Sequence, residues 1–154
     1  MFKIKIISVG SKPDKNLKEL IGSYSKKISN RFDVDWINIK SEKKFDLISQ
    51  KKEYEAKKIT AFIENSFVIA MDENGQLINS KEFTNKMAGW IQNYPCLTFI
   101  IGGADGIDQA LINKADFILS LSRMTFPHQL VKLFLSEQLY RCSAILTNHP
   151  YHRE

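Results

Sequence analysis

With 154 residues, 44% of them hydrophobic, the chain is sized for one domain with a substantial core, and residues 1–154 are read as that single unit. Its 22 lysines and arginines against 17 acidic residues leave a net charge of +5, compatible with a nucleic-acid partner but too small to require one. Cys96 and Cys142 are far apart and form no C-x-x-C pair, which excludes a disulfide scaffold, and no apolar run is long enough to span a membrane, so none is expected as a partner.

Phe2, Ile4 and Ile6 alternate with Lys3 and Lys5 before Ile7, Val9 and Gly10, predicting a first strand that ends at a glycine. That charged opening lacks the apolar stretch of a signal peptide, so a cytoplasmic protein is expected. Leu17, Leu20, Ile21, Tyr24 and Ile28 fall at helical spacing over 16–28, with lysines opposite. Val34, Trp36, Ile37 and Ile39 mark a second strand, followed by a charged loop over 41–44. A lysine-rich helix is predicted over 47–64, its buried stripe formed by Ala56, Ile59, Phe62 and Ile63. Its Lys51, Lys52, Lys57 and Lys58 are expected on a solvated face.

The apolar run over 67–72 has the composition of a strand buried on both sides, and 73–76 carries a turn signal. Asn79 with Glu82 three residues later predicts a capped helix start, and Phe83, Met87, Trp90 and Ile91 supply that helix's apolar face. A fourth strand over 97–101 runs into Gly102, Gly103 and Gly106, and a helix-like stretch follows over 107–115. A fifth strand is predicted over 117–121. Pro127 is placed to open the last helix at its first turn, over about 128–145. Leu130, Val131, Leu133, Phe134, Leu135 and Leu139 cover most of that helix, which argues for burial and, in a chain this small, for a subunit interface. The repeated β-α alternation predicts an α/β fold with a mostly parallel sheet and helices on both faces.

Ligands in such sheets bind beyond the strand carboxyl ends, which here are Met71-Asp72, Ile101-Gly102-Gly103 and Leu121-Ser122. The glycine spacing is G-G-x-x-G rather than the G-x-G-x-x-G of a dinucleotide loop, and Asp105 would repel a pyrophosphate. A small-molecule pocket is therefore expected, and a phosphate pocket is not. No P-loop, nucleophile elbow or H-E-x-x-H motif is present, and His128, His149 and His152 lack the further ligands of a zinc site, so no metal is expected. His128 reads equally as a base near a helix start or as a capping histidine. The tail NHPYHRE over 148–154 is rich in donors and carries an aromatic ring, equipment for gripping a splayed base and its phosphate.

IGGADG over 101–106, LSRMTFPH over 121–128, EQLYR over 137–141 and the closing NHPYHRE together resemble the bacterial ribosomal RNA large-subunit methyltransferase H family. These are small SPOUT-class enzymes that methylate pseudouridine-1915 of 23S ribosomal RNA, and the resemblance spans essentially the whole chain. It implies a C-terminal trefoil knot, which general rules of chain topology would not have proposed. It also implies S-adenosylmethionine as cofactor and a homodimer. By position, the implied cofactor contacts are Met71, where family members often carry leucine, together with Gly103, Ser122, Arg123, Met124, Thr125, Phe126 and Pro127.

The implied reaction is in-line methyl transfer to the imide nitrogen N3 of the base. His128, Arg141, Tyr151, His152 and Arg153 are the candidates for base and substrate contacts. Arg141 and Arg153 would hold phosphate or the imide anion, and Tyr151 would stack on the extruded base. His128 or His152 would take the proton, and the sequence does not choose between them. Asp105 beside a cationic sulfonium would be tolerated or favourable. The expected partner is 23S ribosomal RNA, as free RNA, large subunit or assembled ribosome. The tail of one subunit is expected to complete the other's site. The alternative is a non-enzymatic ribosome-associated module that binds RNA through the basic helix over 47–64.

Overall fold

The computed structural model describes residues 1–28 and 30–153; Glu154, the last residue of the tail motif, lies outside them. Five strands, β1 (Phe2–Val9), β2 (Phe32–Ile39), β3 (Phe67–Leu77), β4 (Cys96–Ile101) and β5 (Phe117–Ser120), form one sheet in the order β2-β1-β4-β3-β5. Every pairing is parallel. The helices are α1 (Lys15–Ile28), α2 (Ile48–Thr60), α3 (Ser80–Asn93), α4 (Gln109–Lys114) and α5 (His128–Leu146).

Strand alternation sorts the core into two layers. Ile4, Ile6, Leu97, Phe99, Ile69 and Met71 face α1, α3 and α5, from which Ile28, Met87, Leu135 and Leu139 close the layer. Ile7, Val9, Val68, Ala70 and Ile100 face the opposite way, covered by Ile59 of α2 and Leu111 of α4. Helices thus lie on both faces, as the apolar strands require. The chain leaves β1 toward one sheet edge and leaves β4 toward the other, so their carboxyl ends diverge and open a crevice.

Three elements depart from the sequence reading. The strand expected to stop at Asp72 resumes and continues to Leu77. Met71 and Gln76 both pair with Leu119 of β5, so residues 72–75 form a bulge inside the strand rather than a turn after it. Helix α2 ends at Thr60, short of the expected Glu64, leaving Phe62 exposed. Pro127 is the residue before α5, with φ −55° and ψ 137°, and not its first helical residue.

The predicted capping box is present: Glu82 N–H donates to Asn79 Oδ1 at 2.9 Å, and Asn79 N–H to Glu82 Oε2 at 3.0 Å. In α5, Leu135, Leu139, Cys142 and Ala144 are buried, while Leu130 and Phe134 remain 37% exposed on the outward side. The helix ends in a Schellman motif. Asn148 takes φ 54°, His149 N–H donates to Ala144 O at 2.8 Å, and Asn148 N–H donates to Ile145 O at 3.2 Å. That turn sends the tail back along α5.

Candidate active site

The carboxyl ends of β3, β4 and β5 meet in an open cleft of about 770 Å³. Met71, Gly103, Ser122, Met124, Thr125, Phe126, Pro127 and His128 all line it. Arg123 does not; it donates to Glu73 O instead. Glu73, in the β3 bulge, also accepts from Ser120 Oγ at 3.1 Å through its carbonyl and from Thr125 Oγ1 at 2.8 Å through its carboxylate. The departure of β3 from regularity therefore has a consequence: the bulge holds the 122–125 loop against the cleft.

Gly102 serves the loop more than the ligand. A Cβ there would stand 2.8 Å from Gly106 C and 2.9 Å from Ile107 Cγ1, too close for any other residue without movement. Gly106 N–H donates back to Gly103 O at 3.0 Å and closes the turn. Asp105 is not a free carboxylate. Lys51 Nζ reaches it at 2.8 Å, and the hydrogen bond to Asp105 raises the lysine above its ordinary value. Lys51 thus leaves the solvated face predicted for it and ties α2 to the glycine loop, while Lys52 lines the cleft mouth. Behind them Glu55 is buried, and burial lifts its carboxyl above the usual range.

His128, the first residue of α5, closes the cleft on the β1 side. Gly10, with φ +114°, permits this approach: a Cβ on it would lie 3.3 Å from His128 Nε2. The Gln129 amide donates to Ser11 O at 2.6 Å and turns its Nε2 toward His128 Nε2 at 3.2 Å. An amide nitrogen only donates, so the imidazole accepts there and carries its proton on Nδ1. Burial, and then the nearby Lys132 ammonium, lower His128 below its ordinary value and keep it neutral. Lys132 is itself only 2% exposed, its Nζ 3.4 Å from Ser11 O, and burial lowers it too.

A second cluster forms at the far end of α5. Glu137 accepts from Arg141 Nη2 at 2.7 Å and from Tyr151 O–H at 2.9 Å. The Arg141 guanidinium lies 4.8 Å from the Tyr151 ring centroid, and its Nη1 is 3.1 Å from His152 Nδ1. Guanidinium cannot accept, so His152 Nδ1 accepts and the free imidazole proton sits on Nε2. Burial, then the bond to Glu137, push the Tyr151 phenol up to about 12, making it a neutral donor. The tail read as a grip for RNA is thus pinned to α5, and Arg153 beyond it is exposed.

His128 and Arg141 are thirteen positions apart on the helix, about 20 Å along the axis. The structure brings His128 together with the cleft residues, and Arg141, Tyr151 and His152 with one another, but not the two groups around one point. Glu137 was read only within the EQLYR motif, Lys132 not at all, and Gly10 only as the end of a strand. The E-x-x-x-R spacing of Glu137 and Arg141 is the one signal that could have exposed the first. Among the described residues no three histidines, cysteines or carboxylates gather as a metal site, and no helix is long and apolar enough to cross a membrane.

The family described as predicted SPOUT methyltransferase matches residues 2–152. The ribosomal RNA large subunit methyltransferase H of Acholeplasma laidlawii is 42% identical over 152 residues, 98% of this chain and 99% of that one. The protein of the same name from Methylobacillus flagellatus is 38% identical over 154 residues, 99% of each chain. Among solved structures, a probable methylase family protein from Haemophilus influenzae Rd KW20 shares the fold, with a TM-score of 0.52 at 12% identity over 96% of this chain and 67% of that one.

Proposed function

The chain belongs to the SPOUT methyltransferase family, and on that premise we propose that it methylates N3 of pseudouridine-1915 in 23S ribosomal RNA. S-adenosylmethionine is the methyl donor, and the working unit is a knotted homodimer in the cytoplasm. The observation that carries this reading is the cleft at the ends of β3, β4 and β5. Its lining fits the donor: Met71, Ile101, Leu119 and Phe126 give apolar walls that would suit an adenine, and the carboxylates of Asp72 and Glu73 would favour a cationic sulfonium. Nothing in it resembles a phosphate cradle, and the donor carries no phosphate.

When bound, S-adenosylmethionine supplies an electrophilic methyl on an already activated leaving group. What remains for the protein is positioning and removal of the imide proton. Met71, Gly103, Ser122 and residues 124–127 would hold the donor, while Arg123 is engaged by Glu73 instead. His128 is the base we assign, because it is neutral, lines the cleft and presents Nε2 once the Gln129 amide gives way. His152 is the weaker candidate, since its acceptor nitrogen is engaged by Arg141 at the other end of α5. Arg141 and Arg153 bind phosphate or the developing imide anion, and Tyr151 stacks on the extruded base.

The 20 Å spacing makes a single chain incomplete. A partner whose tail reaches this cleft would join both groups, and Leu130 and Phe134 give α5 an outward apolar stripe for that contact. The non-enzymatic reading through α2 loses support, because the chain belongs to a methyltransferase family and Lys51, instead of facing solvent, is tied to Asp105 of the glycine loop.

Calorimetric titration with S-adenosylmethionine and with NAD, alongside methylation of naked RNA, large subunits and assembled ribosomes, tests the proposal. We expect binding of the first ligand only, and a methyl group on one pseudouridine. A protein that binds neither ligand but binds RNA would overturn the enzyme reading.

A further inference from the structure

The tail cluster does not stop at α5. Tyr140, next to Arg141, lies 4.4 Å from the Tyr151 ring centroid and 6.0 Å from that of Tyr24 on α1. Lys27, one turn beyond Tyr24, places its Nζ 5.4 Å from the Tyr24 ring and 5.3 Å from the Tyr140 ring. Three half-buried rings thus form a ladder running from the tail onto a second helix, with the exposed Lys27 cation lying across two of them.

Among the described residues, no carboxylate pairs with the Lys27 cation. Helix α1 as a whole carries Lys15, Lys18, Lys26 and Lys27 against Glu19 alone. Half-buried tyrosine rings beside an exposed ammonium group match the chemistry of single-stranded nucleic-acid binding, in which aromatic side chains contact bases and cations track phosphates. An ammonium resting on ring faces keeps hydrogens available for a phosphate oxygen.

We propose that Tyr24 and Lys27 of α1 form an RNA subsite for the nucleotide flanking the target base, the Tyr24 ring contacting its base and Lys27 its phosphate. This rests on the reading that the Arg141–Tyr151 cluster grips the target. The subsite acts on substrate binding and leaves the chemical step alone.

Tyr24→Leu, Lys27→Gln and the conservative Tyr24→Phe are compared with the wild-type full-length protein, on whichever RNA or ribosomal particle the wild type methylates. Expected are a KM for RNA raised at least about fivefold in the first two, kcat and S-adenosylmethionine affinity held, and Tyr24→Phe close to wild type. The salt dependence of RNA binding should flatten by about 0.7 in logarithmic slope for Lys27→Gln. Unchanged KM and slope in Lys27→Gln, while the wild type remains active, would overturn the subsite. Should Tyr24→Leu misfold by circular dichroism, the exposed Lys27 decides alone. A wild type that neither binds the donor nor methylates RNA marks the failure of the functional reading instead.

Discussion

His128 and Lys132 sit one turn apart on α5, and their proximity has consequences for pH. Burial and the Lys132 charge both disfavour the imidazolium, so the folded protein protonates His128 below its ordinary value of 6.5. The unfolded chain takes up that proton first as pH falls. This ionisation therefore costs nothing above 6.5 and lowers stability progressively as pH drops through it. Thermal melts from pH 7.5 to 5.5 should show this loss, and His128→Gln should reduce it. With His128 as the proposed base, the same depression would keep it available on the acid side. Lys132→Met removes the repelling charge and should move the acid limb of the kcat profile upward. A limb that stays in place would mean that Lys132 does not act on the base. Glu137 carries a different load, holding both Arg141 and Tyr151. Glu137→Ala should cut kcat by about tenfold or more, in the range typical of lost positioning, with donor affinity unchanged by calorimetry.

At the scale of elements, local chemistry was most legible where one residue type answers one backbone need. Asn79 and Glu82 announce a capping box, and the structure contains it. Asn79→Ala should cost about 1 kcal/mol, measurable by urea unfolding. The glycine loop was legible as a site wall but not for its full reason. Its spacing pointed to ligand approach, whereas the backbone of Gly106 and the side chain of Ile107 occupy the space a Cβ on Gly102 would need. Gly102→Ala should therefore destabilise the fold by about 1–3 kcal/mol even without ligand, seen as a lower midpoint in the same unfolding assay. The bulge over 72–75 was missed because its residues carry turn chemistry. Only the pairing of β3 with β5, a contact between distant segments, shows that the strand resumes. Likewise no local pattern announces that Lys51 will meet Asp105, 54 positions away.

The whole molecule shows why composition left the tail undecided. A polar terminal segment ordinarily frays, but Asn148 turns this one back onto Glu137, Tyr140 and Arg141, which lie on a helix face that sequence periodicity describes only as partly buried. The parallel sheet and its two helical layers followed from alternation and apolar runs, whereas the strand order came only from the pairings. The separation of His128 from Arg141 was implicit in the helix predicted over 128–145, whereas the return of Tyr151 and His152 onto its far end was not, because it depends on the turn at Asn148. That separation makes the assembly testable in a way a compact site would not. A chain lacking 148–154 retains the cleft and loses Tyr151, His152 and Arg153, while a chain with Ser122 and Thr125 changed retains the tail and has a damaged cleft. Each alone should be inactive. Mixed under conditions of demonstrated subunit exchange, they should recover activity, since half of the sites in a heterodimer then pair an intact cleft with an intact tail. About half of the chains form heterodimers on random exchange, each with one whole site of two, so recovery should approach about a quarter of the wild-type rate per chain. If the tail serves its own chain's cleft, no heterodimer contains a whole site, and the mixture stays inactive at every ratio.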